Sequence, residues 1–193
     1  NISEVLYESY KQNRFESLPI PTTEFITLFK NEHMWIINKP AGINVQKASK
    51  DDISLDQLIK ASSELPSSLS FTPGPLHRLD RNTSGILCFS QSLQGARWFT
   101  EQMKEGNIGK FYLGLAQGRL EHEEEWKDGI EKVEGTQKFH TVKIVEGSSR
   151  TRAKPLSQGK LYNNEVTLIE YQIIGGKTHQ IRAQTAHHGY CLL

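Results

Sequence analysis

The stretch His77-Arg78-Leu79-Asp80-Arg81-Asn82-Thr83-Ser84-Gly85 sets a carboxylate, two guanidiniums, an imidazole and two hydroxyls side by side. Asp80 is the group best suited to covalent chemistry. A carboxylate of ordinary pKa, about 3.9, is ionised at neutral pH and needs no general base to act as a nucleophile. Arg78 and Arg81 flank it. A guanidinium beside a carboxylate favours the charged form and also suits phosphate, so the same residues can hold a reactive anion and a polyanionic ligand. Asp, Asn, Thr and Ser are equally ordinary turn formers, and residue type alone describes either a reactive loop or a solvated turn. Ile86, Leu87, Cys88 and Phe89 follow at once and read as a short buried strand, which puts the polar cluster at the mouth of a rigid element.

Three further segments share this mixture of apolar run and polar end. They are Trp35-Ile36-Ile37-Asn38-Lys39-Pro40-Ala41-Gly42, Lys110-Phe111-Tyr112-Leu113-Gly114-Leu115-Ala116-Gln117-Gly118, and Gly175-Gly176-Lys177-Thr178-His179-Gln180-Ile181-Arg182. Together with the Asp80 segment they resemble the RluA family of RNA pseudouridine synthases. The family's signature runs His-Arg-Leu-Asp, two variable residues, Thr-Ser-Gly, then apolar residues, and every fixed position is present here. The other segments resemble, in the family's order, its Asn-Lys-Pro-x-Gly strand, its Lys-x-Tyr strand and its Gly-Arg-Thr-His-Gln-Ile-Arg segment. The likeness covers roughly residues 33 to 189.

The resemblance implies an isomerase that converts specific uridines of ribosomal or transfer RNA to pseudouridine. Asp80 falls on the catalytic aspartate, Tyr112 on the active-site tyrosine, and Arg182 on the arginine that pairs with the aspartate. Lys39, Arg78, Arg81, Lys110, Lys177 and His179 are expected to contact RNA, and His77, Thr83 and Ser84 to support the loop. The reaction gains and loses no atom, so no cofactor and no metal are expected. Lys177 departs from the family's arginine; it keeps the charge but lacks the planar fork. Family members continue beyond Gly189 with a Gly-Asp stretch and a final strand, so the C-terminal part of the domain is expected to be absent. A catalytically inactive RNA-binding homologue is the alternative. A nucleoside hydrolase would want a second carboxylate near the first, and the four segments hold none.

The elements that must position these groups follow from patterning. Residues 1–24, with Pro19 and Pro21, read as an N-terminal arm, and 25–193 as the catalytic domain. Phe25 to Phe29 and Met34 to Asn38 read as a hairpin, and 53–64 as a helix with Ser54 able to cap it. A Ser/Pro/Gly loop over 66–75 leads into the Asp80 segment. Residues 85–90 read as a strand, and 92–105 as a helix with Leu93, Ala96, Phe99 and Met103 along one face, ended by Gly106. Strands are expected over 110–117, 139–146 and 165–174, and a closing helix over 178–188 with Thr178 as N-cap. Irregular alternation of this kind predicts an α+β fold with a mixed, mainly antiparallel sheet flanked by helices and loops.

Composition sets the remaining bounds. The 193 residues carry a formal net charge of +1, which argues against a strongly basic nucleic-acid wrapper. The charge is uneven: Arg150, Arg152 and Lys154 form a basic stretch, whereas residues 121 to 134 are dominated by acids and read as a solvated loop. The two cysteines, Cys88 and Cys191, lack metal or redox spacing and suit a reducing cytoplasmic compartment. Neither His187-His188 nor any other histidine pattern has zinc-ligand spacing. No apolar run is long enough to span a bilayer. RNA is the expected partner, and a monomer the expected state.

Overall fold

The computed structural model describes residues 26–47, 53–62, 71–132 and 142–193. They fall into two compact units, Asn1–Asn107 and Ile108–Leu193. The expected arm over 1–24, the first half of the loop before Gly74 and the start of the strand expected from 139 lie outside the described residues.

In the first unit Ile26–Lys30 (β1) and Met34–Lys39 (β2) form the expected antiparallel hairpin. Gly85–Ser90 (β4) pairs with β2 from Met34↔Ser90 to Lys39↔Gly85, and Gly74–Pro75 (β3) adds a short pairing to the far side of β4. The loop expected there thus ends in two strand residues. The resulting sheet has the order β1-β2-β4-β3. Leu55–Ser62 (α1) buries Leu55 and Ile59, one helical turn apart, while Ile53 is exposed. Gln57 caps the start by accepting from the Ser54 amide at 3.3 Å, half of a capping box. Leu93–Lys104 (α2) is capped by Ser92, whose hydroxyl accepts from the Gly95 amide at 3.1 Å. Phe99 and Gly95 are its buried residues; Leu93, expected on that face, is exposed.

The second unit is built on Lys110–Gln117 (β5), Glu124–Lys132 (β6), Val142–Leu161 (β7) and Asn164–Ile174 (β8), in the order β5-β8-β7-β6. Every named strand pair in both sheets is antiparallel, and among the described residues the one parallel pairing is the isolated Asn44↔Ser54 bridge. The α+β class is as expected.

The acidic run expected to be a solvated loop is in large part β6. Its residues alternate: Glu124, Trp126 and Asp128 turn toward the buried face, and Glu123, just before the strand, Glu125 and Lys127 toward solvent. The outward acids meet the outward basic residues of β7, with Arg152 Nε 3.1 Å from Glu123 and Arg150 3.9 Å from Glu125. Acidic and basic stretches therefore lie on neighbouring strands and offset each other, so 148–154 does not stand as a separate basic face. Gln180–His187 (α3) and residues 190 to 192 pack on the buried face, where Ala116, Leu120, Trp126, Ala153, Ile169 and Tyr171 form the core. The N-cap of α3 is His179, in the left-handed region at φ 57°, and not Thr178. Its side chain makes no capping hydrogen bond.

Candidate active site

Asp80 opens a tight turn closed by the Thr83 amide donating to the Asp80 carbonyl at 3.1 Å, with Arg81 and Asn82 exposed at its tip. Leu79, buried just before it, anchors the turn to the first unit's core. Lys39 holds the turn from beneath. Its ammonium donates to the carbonyls of Pro40 at 2.8 Å, Arg81 at 3.1 Å and Thr83 at 2.8 Å, and the side chain is fully buried. An ammonium has three donors, and all three are used. Lys39 was expected to touch RNA backbone, and this is corrected: its charge faces inward onto peptide carbonyls. Burial pulls the ammonium down to about 8, while the Asp80 carboxylate opposes that fall.

The Gly42 turn completes the support. Gly42 donates its amide to the Arg81 carbonyl at 2.8 Å and accepts from Arg81 Nε at 2.9 Å, so the two loops clasp each other. Gly42 has φ +92°, a conformation that any side chain would strain. These contacts explain why Asn-Lys-Pro-x-Gly precedes the Asp80 loop: the lysine fills the space under it and the glycine turns against it.

His77 lies at the other end of the loop, its ring held by two contacts. Its Nε2 accepts from the Cys88 amide at 3.1 Å, extending the β4 pairing with a ring nitrogen where a carbonyl would stand. The ring stacks on Phe99 with centroids 6.0 Å apart and planes 9° from parallel. Thr83 contributes through its carbonyl; Ser84 and Arg78 are exposed. Cys88 is buried, which pushes its thiol up and leaves it a packing residue.

The second unit carries the other expected groups. Tyr112 lies opposite Tyr171 in the β5–β8 register, and its half-buried ring packs against the core of that unit. Lys110 is half-buried at the start of β5, where burial lowers its ammonium. Lys177 is exposed, and Arg182 is exposed on α3 with Nη1 3.4 Å from His179 Nδ1. Thus the first unit brings together Lys39, His77, Arg78, Asp80, Arg81, Thr83 and Ser84, and the second carries Lys110, Tyr112, Lys177, His179 and Arg182.

The family model for RNA pseudouridylate synthase matches residues 33–187. The chain belongs to the RNA pseudouridylate synthase family. Ribosomal large subunit pseudouridine synthase C of Vibrio parahaemolyticus is 30% identical over 173 residues, which are 86% of this chain and 50% of that protein. tRNA pseudouridine synthase C of Haemophilus ducreyi is 28% identical over 174 residues, 85% of this chain and 70% of that protein. Among solved structures, human RNA pseudouridylate synthase domain containing 1 superposes with a TM-score of 0.71 at 20% identity, covering 90% of this chain and 69% of that one. That likeness establishes the fold. The chain spans about half the length of the first curated relatives it matches.

The chain also holds a group of residues that its sequence did not announce. Asp128, His187 and His188 bring donor atoms within 4.8 Å of one another, although Asp128 is far from the histidines in sequence. A metal would find three donors there, but the Asp128 carboxylate already accepts from Gln184 Nε2 at 2.9 Å and from His188 Nε2 at 3.0 Å. Burial alone would raise the Asp128 carboxyl; the two hydrogen bonds and the charges of His188 and His187 instead hold it below the ordinary value. The His188 ring stacks on Trp126 at 4.8 Å and 7°. Asp128 and His188 are thus engaged as a hydrogen-bonded anchor at the end of α3, with the exposed His187 ring edge-on to His188 at 5.2 Å. The one sequence signal for it is the alternation Glu124, Trp126, Asp128, which outward acids obscure. No helix among the described residues is long and apolar enough to cross a membrane.

Proposed function

We propose that the protein isomerises specific uridines in ribosomal or transfer RNA to pseudouridine, working as a cytoplasmic monomer with Asp80 as the reacting carboxylate. The N1–C1′ bond breaks, the uracil turns while bound, C5 bonds to C1′, and the C5 proton is lost as N1 regains one. Atoms and electrons balance within the nucleotide, so the chemistry calls for no cofactor. Asp80 acts unprotonated, Tyr112 lies against the uracil with its ring, and Arg182 balances charge at the reacting groups. Arg78, Arg81, Lys110, Lys177 and His179 supply contacts to RNA, the cationic ones salt-dependent. Those contacts offset the few kcal/mol needed to turn a stacked uridine out of structured RNA.

The observation that carries this reading is the Asp80 turn, which is held on one side by a fully buried lysine and on the other by a reciprocal clasp with Gly42. Such bracing fixes a carboxylate in place before substrate arrives, as a reacting group requires. The relatives' names supply the two RNA classes.

The test is tritium release from ribosomal and transfer RNA transcripts labelled at uridine C5. Release by the protein and none by Asp80→Asn is expected. RNA binding without release by either protein would overturn the reading in favour of an inactive RNA-binding homologue.

A further inference from the structure

Helix α3, which presents Arg182, is held by polar groups where most helices are held by apolar ones. Its buried residues are Gln180, Gln184 and Thr185, and the latter two have no exposed surface. Thr185 returns its hydroxyl to the Ile181 carbonyl within the helix. The two glutamines reach outward and form a continuous relay across the sheet.

The relay begins at the Lys177 amide, which donates to Gln180 Oε1 at 3.0 Å. Gln180 Nε2 donates to the Arg150 carbonyl at 2.9 Å and to Thr151 Oγ1 at 3.0 Å. Thr151 Oγ1 donates in turn to Gln184 Oε1 at 2.6 Å. Gln184 Nε2 donates to the Ser149 carbonyl at 3.1 Å and to Asp128 Oδ2 at 2.9 Å, and His188 closes the chain on the same carboxylate oxygen. Thr151 is the central link. It is wholly buried, and both hydrogen-bonding roles of its one hydroxyl are filled by glutamines one helical turn apart.

The strands are shaped to receive this relay. The β6–β7 register runs Asp128↔Ser149 and then Gly129↔Val145, so three β7 residues bulge beside Asp128. The bulge needs glycine: a Cβ on Gly147 would stand 2.4 Å from the Gly129 Cα. A bulge re-aims the side chain next to it, here the carboxylate that ends the relay.

Apolar helix contacts tolerate small rotations, whereas hydrogen bonds weaken steeply with angle. Residues 180, 184 and 188 recur every turn and share one side of α3, and 182 lies two residues, about 200°, around the helix from 180. We propose that Thr151, Gln184 and Asp128 are positioning residues for Arg182: by fixing the rotation of α3 about its axis, they set the direction in which that guanidinium is presented. This rests on the reading of Arg182 as a participant in the reaction.

The experiment is a double-mutant cycle in the protein, read by single-turnover tritium release from whichever labelled transcript the wild type turns over. Thr151→Val removes only the hydroxyl and keeps the shape. It is expected to lower the chemical rate about tenfold, the scale of a slightly misaimed reacting group, with RNA affinity within about twofold. Thr151→Ser, which keeps the hydroxyl, should restore the rate. On an Arg182→Ala background Thr151→Val should change the remaining rate less than about twofold, since a residue acting through Arg182 then has no cationic side chain left to position. An equal tenfold loss on both backgrounds, or no loss in Thr151→Val alone, overturns the proposal. Wild-type rates in both Arg182→Lys and Arg182→Ala would instead overturn the role of Arg182 itself. If Thr151→Val does not fold, Gln184→Met enters the same cycle with the same expected and overturning results.

Discussion

The Asp80 turn and the Arg182 helix are both fixed by buried polar groups, yet by opposite means. Beneath Asp80 a single ammonium, Lys39, satisfies three backbone carbonyls at once. Under α3 the restraint is divided among neutral side chains, Gln180, Thr151 and Gln184, and charge enters only at its end, in Asp128. A charge-centred brace is strong and local, but it rests on one proton and one side chain. A relay of amides and hydroxyls is insensitive to pH along most of its length and loses strength in steps. The comparison teaches that the two regions should fail differently: the first abruptly and at alkaline pH, the second gradually and at its acidic end.

Removal of Lys39 is the largest expected break. Lys39→Met leaves three carbonyls under the turn without their donor, each costing about 1–3 kcal/mol where water cannot reach, partly offset by no longer burying a charge. Uridine isomerisation should fall at least about 100-fold, the scale of a reacting group displaced by roughly 1 Å. Tritium release and thermal melting, measured together, check both halves of the expectation.

The pH dependence of Lys39 sharpens the contrast further, because activity and stability should move in opposite directions. Its ammonium titrates near 8 in the folded protein and, from its ordinary value, near 10.5 when unfolded. Between those values the unfolded chain binds more protons than the folded one, so this residue's contribution to stability rises with pH across that window. The charge under Asp80 is lost over the same window, so the chemical rate should decline above about pH 8. A rate profile flat to pH 10 would show that the neutral amine braces the turn equally well. Lys39→Met should lack the lysine's share of the rise in stability.

How much of this was legible beforehand varies with what decides each element. The β1–β2 hairpin, β4, α2, β5 and β8 could be read because apolar periodicity and turn residues set them locally. The Asp80 loop could be read only through its resemblance to the RluA signature and the order of the three companion segments, since its residue types alone fit a solvated turn equally well. β6 could not: Trp126 is the large apolar residue of its first half, and Glu123 and Glu125 look solvated until Arg152 and Arg150 are seen on the next strand. Lys39 looked like a cation for RNA because sequence shows charge and not burial. The relay was hidden for a related reason. Thr151, Gln184 and Asp128 are ordinary surface types, and only tertiary pairing across β6, β7 and α3 makes them interior.

At the acidic end of the relay, Asp128→Asn should cost about 1–2 kcal/mol near neutral pH, because a charged acceptor of two hydrogen bonds becomes a neutral one. The sign follows from the depressed carboxyl. It favours the folded state above its unfolded value of about 3.9, and that contribution is lost as pH falls through its lower folded value. Denaturation of wild type and Asp128→Asn should therefore converge in acid and differ at pH 7. A constant difference across the range would mean that shape at this position matters and charge does not.

Tyr171 marks the smallest expected effect and the boundary of the argument from polar restraint. It stands one core residue from the relay, opposite Ala153, with its ring against Trp126 at 6.1 Å. Its hydroxyl is buried and, alone among the buried side-chain donors and acceptors of the described residues, has no hydrogen-bond partner. A buried polar group without a partner destabilises, and removing it relieves that cost while leaving the ring in place. Tyr171→Phe should melt at the same temperature or higher, by up to about 1 kcal/mol of added stability, with an unchanged rate of isomerisation. Thr151→Val deletes a hydroxyl from the same core with the opposite expected result. The pair separates a hydroxyl that transmits position from one that is merely enclosed. A loss of stability in Tyr171→Phe comparable to that in Thr151→Val would show that the core draws on hydroxyls generally, and the distinction between relay and packing would fall.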